Sequence, residues 1–156
     1  MIELTIPGRG QITLTNLVLD INGTIALDGK LIPGVAERLT ALKRLLDISM
    51  ITADTHGRAQ EIAEQLDIMM VKITPGDEGG QKLRYIQQLG SEHTVCIGNG
   101  ANDTLMLSEA AVGISVLGPE GTATVALTNS DVVVTDINIA FDLLLNPLRL
   151  VATLRK

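Results

Sequence analysis

Apolar and polar residues follow two different spacings along this chain, and these spacings predict its strands and helices. Residues 2–15 alternate one by one on both sides of a Pro-Gly turn, which predicts an antiparallel hairpin. Continuous apolar runs later in the chain predict fully buried strands. The buried strands are predicted at 16–20, 48–52, 68–73 and 94–98, and two further strands are predicted at 112–117 and 131–135. Between them apolar residues recur at helical spacing, as in residues 34–46, where one face carries Val35, Leu39, Leu42, Leu45 and Leu46.

The regular alternation of buried strands and amphipathic helices predicts an α/β fold with a three-layer, doubly wound parallel sheet. We expect residues 1–156 to form one domain, with the N-terminal hairpin in residues 1–16. Asp28-Gly29 between short apolar arms predicts a second hairpin over residues 25–32, which would form a small flap. The segment between the first two buried strands has room for this hairpin and one helix, so no large cap domain is expected.

Composition narrows the class of protein. The chain has 156 residues, 46% of them hydrophobic and 1% aromatic, so its core is built from aliphatic side chains. The net charge of -6 and the lack of a basic run argue against a nucleic-acid partner. The single cysteine, Cys96, favours a reducing compartment. Neither a leader sequence nor an apolar run of membrane-spanning length appears, so we expect a cytoplasmic protein without membrane insertion.

Polar residues that directly follow the buried strands are the candidate site, because ligands of open α/β sheets bind at the carboxyl ends of the strands. The first strand is followed by Asp20, Asn22, Gly23 and Thr24, the second by Thr52, Ala53 and Asp54, and the fourth by Gly98, Asn99, Gly100, Asn102 and Asp103. Lys82, near the start of a later helix, could reach the same crevice. A carboxylate, a hydroxyl, an ammonium group and several oxygen ligands suit phosphoryl transfer with Mg²⁺.

Three segments carry a resemblance to a known family. They are "DINGT" (20–24), "ITADT" (51–55) and "GNGANDTLML" (98–107), with Lys82 between the last two. In this order they resemble the haloacid dehalogenase superfamily of phosphohydrolases. The closer resemblance is to the phosphorylation domain of P-type ATPases, and it covers about residues 17–145. The chain is similar to soluble P-type ATPase-like phosphatases, so the resemblance implies a Rossmann-like fold and a Mg²⁺-dependent hydrolase.

The resemblance also implies roles for the residues that act on the phosphoryl group. Asp20 resembles the nucleophile that becomes phosphorylated. Thr52 and Ala53 would bind the phosphoryl group, Lys82 would neutralise it, and Asn102 would support the loop or contact phosphate.

For the metal, the resemblance implies that Mg²⁺ is held by Asp20, the backbone carbonyl of Asn22, Asn99 and Asp103. Asp54 resembles the aspartate of the Thr-Gly-Asp segment of P-type ATPases. The flanking Gly23, Thr24, Gly98 and Gly100 would shape the loops around the ion and the phosphate.

Two amides stand where the family usually has carboxylates. The position of Asn22 is usually a second Asp, which protonates the leaving group and activates water. An amide cannot move a proton, and losing a general acid/base costs about 10²–10⁴ in rate. Asn99 likewise stands where the motif usually has Asp, so the metal site lacks one negative charge. A slow phosphatase, or one limited to substrates with good leaving groups, follows from these departures.

Several alternatives remain open on the sequence alone. Thr52, Asp54 and Asp103 are also suited to capping helices, and Lys72 is a weaker rival of Lys82. The whole chain could be a catalytically weak binding or regulatory module, or a partner of a transport ATPase. The expected partner is a phosphorylated small molecule or a phosphoprotein, and a homo-oligomer is left open.

Overall fold

The computed structural model describes residues 1–53 and 57–156 of the chain. The strands are β1 Ile2–Ile6, β2 Gly10–Leu14, β3 Asn16–Leu19, β4 Ala26–Leu27, β5 Lys30–Leu31, β6 Asp47–Thr52, β7 Met69–Lys72, β8 Thr94–Gly98, β9 Val112–Val116 and β10 Val132–Val134. The helices are α1 Val35–Leu42, α2 Arg58–Leu66, α3 Glu78–Leu89, α4 Thr104–Glu109, α5 Thr124–Thr128, α6 Ile137–Leu145 and α7 Pro147–Leu154. Short 3₁₀ turns lie at Ser91–His93 and Ala101–Asp103.

A parallel sheet of six strands forms the centre of the part of the chain that the structure describes. Its order is β10-β9-β8-β3-β6-β7. The last residue of β3, Leu19, is in register with Ile97 of β8 and with Met50 of β6. The three central strands therefore end close together, and the residues that follow them meet at one edge. This sheet confirms the predicted α/β fold.

The N-terminal hairpin is also confirmed. β1 and β2 pair antiparallel, with Ile2 opposite Leu14. Alternate residues of β1 are buried, and this apolar face packs against α7. A second, much smaller antiparallel pair joins β4 to β5. Its turn places Asp28 at a φ of 51° and Gly29 at 76°, which is the left-handed region that such a tight hairpin needs.

Two expectations about individual elements, the third buried strand and the length of the first helix, were wrong. The run 68–73 is not a fully buried strand, because β7 lies at the sheet edge and Met69 is 60% exposed. β10 forms the opposite edge, where Val133 is 44% exposed. Helix α1 ends at Leu42 rather than continuing to residue 46, because the chain turns there to enter β6. Leu45 consequently lies outside the core, while Leu46 is buried.

Within the described residues, no single helix combines the length and apolar character needed to cross a bilayer. Helices α6 and α7 have that length and apolar character only when they are taken together, and a bend of 103° separates them.

Candidate active site

A polar cleft of about 450 Å³ opens at the carboxyl ends of the three central strands. Asp20 directly follows β3, and its backbone N–H donates to the carbonyl of Ile97 (3.0 Å), which extends the pairing of β3 with β8 by one residue. Thr52 is the last residue of β6. The residues that line the cleft are Asp20, Asn22, Thr52, Ala53, Glu78, Lys82, Asn99, Gly100, Asn102 and Glu120. Most side chains selected from the sequence are therefore brought together.

A buried cluster of three charged side chains forms the bottom of this cleft. Lys82 Nζ lies 2.8 Å from Asp20 Oδ1 and 2.6 Å from Asp103 Oδ1. Lys82 is 1% exposed, and it shares the inner face of α3 with Ile86, one helical turn later. Lys72, in contrast, is exposed at the end of β7 and does not line the cleft. We call Asp20, Lys82 and Asp103 the ionic floor.

Asp103 lies beneath the cleft rather than on its wall. Its side chain is completely buried, and its Oδ2 accepts hydrogen bonds from the backbone N–H groups of Asn99 (2.9 Å) and Gly100 (2.8 Å). Because Oδ1 accepts from Lys82, both oxygens are engaged. A Cβ on Gly98 would lie 2.5 Å from this carboxyl group, so the close approach requires glycine there. Asp103 thus holds both the lysine and the loop after β8.

The ionic floor contains two carboxylates and one ammonium group, and burial together with these charges shifts the pKa values of Asp20 and Lys82. Burial raises the pKa of Asp20 to about 7, repulsion from Asp103 adds to the rise, and Lys82 opposes it. Burial alone would lower the pKa of Lys82, but attraction to Asp20 and Asp103 outweighs it and raises the pKa above the ordinary value. Lys82 is therefore a permanent cation, whereas Asp20 titrates near neutrality.

Asn99 ties together the loops on either side of the cleft. Its Oδ1 lies 3.1 Å from the Thr24 hydroxyl, which is also 3.2 Å from Asp20 Oδ2, so the single hydroxyl proton is donated to one of these two oxygens. Asn99 Nδ2 donates to the carbonyl of Gly121 (3.1 Å). A carboxylate could not make this last bond. The amide at position 99 is thus used in the structure as both donor and acceptor.

Two carboxylates in the cleft were missed in the sequence. Glu78 begins α3 and accepts a hydrogen bond from Asn102 Nδ2 (2.7 Å). Glu120, in the loop after β9, lies over Gly23, where a Cβ would be 2.5 Å from its Oε2 and 2.6 Å from Asn99 Nδ2. Both glutamates come from segments that follow strands of the same sheet, so extending the search for polar residues further past every strand end would have found them.

The remaining predicted residues have mixed positions. Asn22 is exposed on the cleft wall, and Gly23 is buried with a φ of 77°. Gly98 closes β8, and Ala53 lines the cleft beside Thr52. Asp54 lies outside the described residues.

A family model for haloacid dehalogenase-like hydrolases matches residues 3–111. The chain belongs to this family. The predicted kinship with P-type ATPases is also confirmed, because a probable copper-transporting ATPase of Synechocystis is 32% identical over 130 residues. That match covers 80% of this chain and 17% of the ATPase, so the chain corresponds to a small part of the transporter.

Two further similarities are to a smaller protein and to a solved structure. An uncharacterized protein of Methanocaldococcus jannaschii is 46% identical over 84 residues, which cover 51% of this chain and 90% of that relative. The crystal structure of 3-deoxy-D-manno-octulosonate 8-phosphate phosphatase from Moraxella catarrhalis, solved with magnesium, phosphate and KDO, superimposes with a TM-score of 0.70. At 21% identity over 85% of this chain and 86% of that one, the superposition shows a shared fold.

Proposed function

We propose that this protein is a Mg²⁺-dependent phosphohydrolase or phosphotransferase that acts through an aspartyl-phosphate on Asp20. The observation that carries the proposal is the contact of Asp20 with the buried Lys82 at the bottom of a polar cleft. Membership of a hydrolase family supports the same class of reaction. The ammonium group holds the carboxylate in place and adds a fixed positive charge where a phosphoryl group would be bound.

In the proposed reaction, a carboxylate oxygen of Asp20 forms a bond to phosphorus. The bond from phosphorus to the leaving oxygen breaks, and that oxygen keeps the electron pair. Water then attacks the acyl-phosphate, which releases inorganic phosphate and regenerates Asp20; in a phosphotransferase, an acceptor hydroxyl takes the place of water. Thr52, the backbone of Ala53, Lys82 and Asn102 would bind the phosphoryl oxygens.

The donor atoms around the cleft fit Mg²⁺. Among the described residues, no three His, Cys, Asp or Glu side chains lie close enough to share a metal. Mg²⁺ does not need three, because it is commonly held by one or two carboxylates together with substrate phosphate. The Asp20 carboxylate, the Asn22 carbonyl and the Asn99 amide would hold it, with Asp103 beneath them. Bound Mg²⁺ would offset phosphoryl charge, and once Asp20 is ionised the ionic floor carries one more negative than positive charge to attract it.

Asn22 makes the proposed enzyme slow with poor leaving groups, because its amide cannot donate a proton to the departing oxygen. Activated esters, such as aryl phosphates, need no such acid. We therefore expect turnover of aryl phosphates, with a phosphorylated small molecule or a phosphoprotein as the physiological substrate class.

A catalytically weak binding or regulatory module, serving as a partner of a transport ATPase, is the second candidate. Asn99 favours it, because the amide at a metal position is engaged with Thr24 and Gly121. Similarity to part of a copper-transporting ATPase is the reason to name a transporter.

Stabilisation by beryllofluoride with Mg²⁺ tests the proposal. This phosphoryl mimic should stabilise the wild type by about 2.7 kcal/mol at 100 times its dissociation constant. Asp20→Asn should abolish both that stabilisation and aryl phosphatase activity. Asp47→Asn, an exposed change at the opposite end of the sheet, should affect neither.

The outcomes separate the two candidates. Stabilisation without turnover at high enzyme concentration would favour the binding module. If neither appears, the proposed nucleophile is wrong.

A further inference from the structure

A second cavity, of about 510 Å³, lies beside the polar cleft and has no role in the function proposed above. It is enclosed by the β4–β5 hairpin and by the loops that follow β9 and β10. Its wall is mainly aliphatic, and the apolar side chains that line it include Leu27, Leu31, Ile32, Pro33, Val116 and Ile137. The polar cleft has no comparable apolar lining.

The two cavities meet on two loops. After β3, Asn22 lines the polar cleft, whereas Gly23 and Thr24 line the apolar cavity. After β9, Glu120 lines the cleft, whereas Gly118 lines the cavity. Gly23 and Glu120 are close neighbours, since a Cβ on Gly23 would lie 2.5 Å from Glu120 Oε2. The border between the cavities is thus one glycine and one exposed, rotatable side chain.

Thr24 connects the apolar cavity to the proposed nucleophile. It lines the cavity, and its hydroxyl lies 3.2 Å from Asp20 Oδ2. A molecule whose phosphoryl group is bound at Asp20 would therefore lie next to the apolar cavity on the side of the β4–β5 hairpin.

The charges around the apolar cavity indicate what it would accept. Its lining includes two carboxylates, Asp28 and Asp136, and one ammonium group, Lys30. This excess of negative charge disfavours a second anionic group at the far end of the substrate. The aliphatic wall favours an uncharged hydrocarbon chain or ring.

We propose that the apolar cavity binds the uncharged, apolar alcohol moiety of a phosphate monoester whose phosphoryl group is held at Asp20. This inference rests on the proposed function and names the substrate class: monophosphates of aliphatic or aromatic alcohols without a second charge. Such a moiety would leave with the oxygen that departs from phosphorus.

Burial of hydrocarbon in the cavity sets a quantitative expectation. Each methylene moved from water into an apolar site strengthens binding about fourfold. In a series of alkyl phosphonates, which keep the anionic head and cannot be hydrolysed, affinity should therefore rise by that factor with each added carbon.

Calorimetric titration with methyl-, butyl- and hexylphosphonate in the presence of Mg²⁺ tests the inference. The affinity of the wild type should increase with the length of the alkyl chain. Leu27→Trp, which fills the cavity, should lose most of this increase. Leu27 is partly exposed, so this change is expected to be tolerated. Leu148→Trp is the matched control: Leu148 is 83% exposed on α7, lines neither cavity, and should keep the full rise.

Equal affinity for the three phosphonates in the wild type would overturn the inference, as would an undiminished rise in Leu27→Trp. Should Leu27→Trp fail to fold, Leu27→Asn makes the wall polar without filling it and must also weaken the rise. Binding of methylphosphonate and inorganic phosphate without dependence on chain length would sink this inference and leave the proposed function standing. Binding of neither would overturn both.

Discussion

The floor and the rim of the cleft differ in almost every physical respect. The ionic floor of Asp20, Lys82 and Asp103 is buried, and its charged groups are held by one another and by backbone N–H groups. The rim, by which we mean Asn22, Glu78 and Glu120, is exposed or half-buried. Changes in the floor should therefore affect folding as well as any reaction at Asp20, whereas changes in the rim should affect reactivity with little effect on folding.

The largest effect is expected on the rim, from Asn22→Asp. Restoring a carboxyl group at the acid/base position should raise hydrolysis of alkyl phosphates by about 10²–10⁴-fold. Stability should change by less than about 0.5 kcal/mol, because the side chain is exposed. Steady-state kinetics and urea unfolding measure the two quantities, with Asn129→Asp, at the end of α5, as the control. Unchanged turnover would mean that the amide is not what limits the site.

In the floor, Lys82→Met should cost about 3–5 kcal/mol of folding free energy, because it leaves two buried carboxylates without their cation. Urea unfolding near pH 8 gives the value, and Lys72→Met on the exposed edge strand is the control. A loss below about 1 kcal/mol would show that the floor is less important for folding than its burial indicates.

The raised pKa of Asp20, a residue of the buried floor, should make the stability of the fold depend on pH. The pKa of Asp20 rises from 3.8 to about 7 on folding, so the folded state binds more protons between these values. Stability of the wild type should therefore fall as pH rises from about 4 to about 7. The free energy of unfolding of Asp20→Asn, taken relative to that of the wild type, should therefore increase by on the order of 2–4 kcal/mol as pH rises over that range. A difference that does not vary with pH would contradict the raised pKa.

The smallest expected effects come from a pair of glycines with opposite outcomes. Gly98→Ala places a Cβ against the carboxyl of Asp103, which should destabilise the fold by about 1–3 kcal/mol. Gly79→Ala, in α3, meets its nearest neighbour at 3.4 Å and should stabilise by about 0.4–1 kcal/mol. Thermal unfolding of both variants gives the sign of each change in stability. Equal shifts in Tm would mean that the carboxyl group of Asp103 can move aside.

Asp20 and Lys82 were selected from the sequence by where backbone rules place them. Asp20 directly follows a strand, and Lys82 was chosen from the start of a later helix together with the family resemblance. Asp103 was predicted as a metal ligand, and that role stays a prediction; its engagement with Lys82 and two backbone N–H groups depends on how the loop after β8 folds back. No pattern of residue types reveals such a turn.

The rim was predicted less completely for a different reason. Glu78 begins α3 after β7, and Glu120 lies in the loop after β9; both lie several residues beyond their strands, outside the positions directly after the strands from which the candidates were taken. The edge positions of β7 and β10 were missed in the same way, since an apolar run has the same appearance in a central and in an outer strand.

By itself, the sequence determined the α/β class, the strand ends that bear polar residues and the two amides at positions 22 and 99, since these depend on local periodicity and residue type. Tertiary structure alone decided the burial of Lys82 between two carboxylates, the use of the Asn99 amide to join two loops, and the apolar cavity beside the cleft. These features arise from the packing of segments far apart in the chain, and the pKa of Asp20 depends on that packing rather than on its neighbours in sequence.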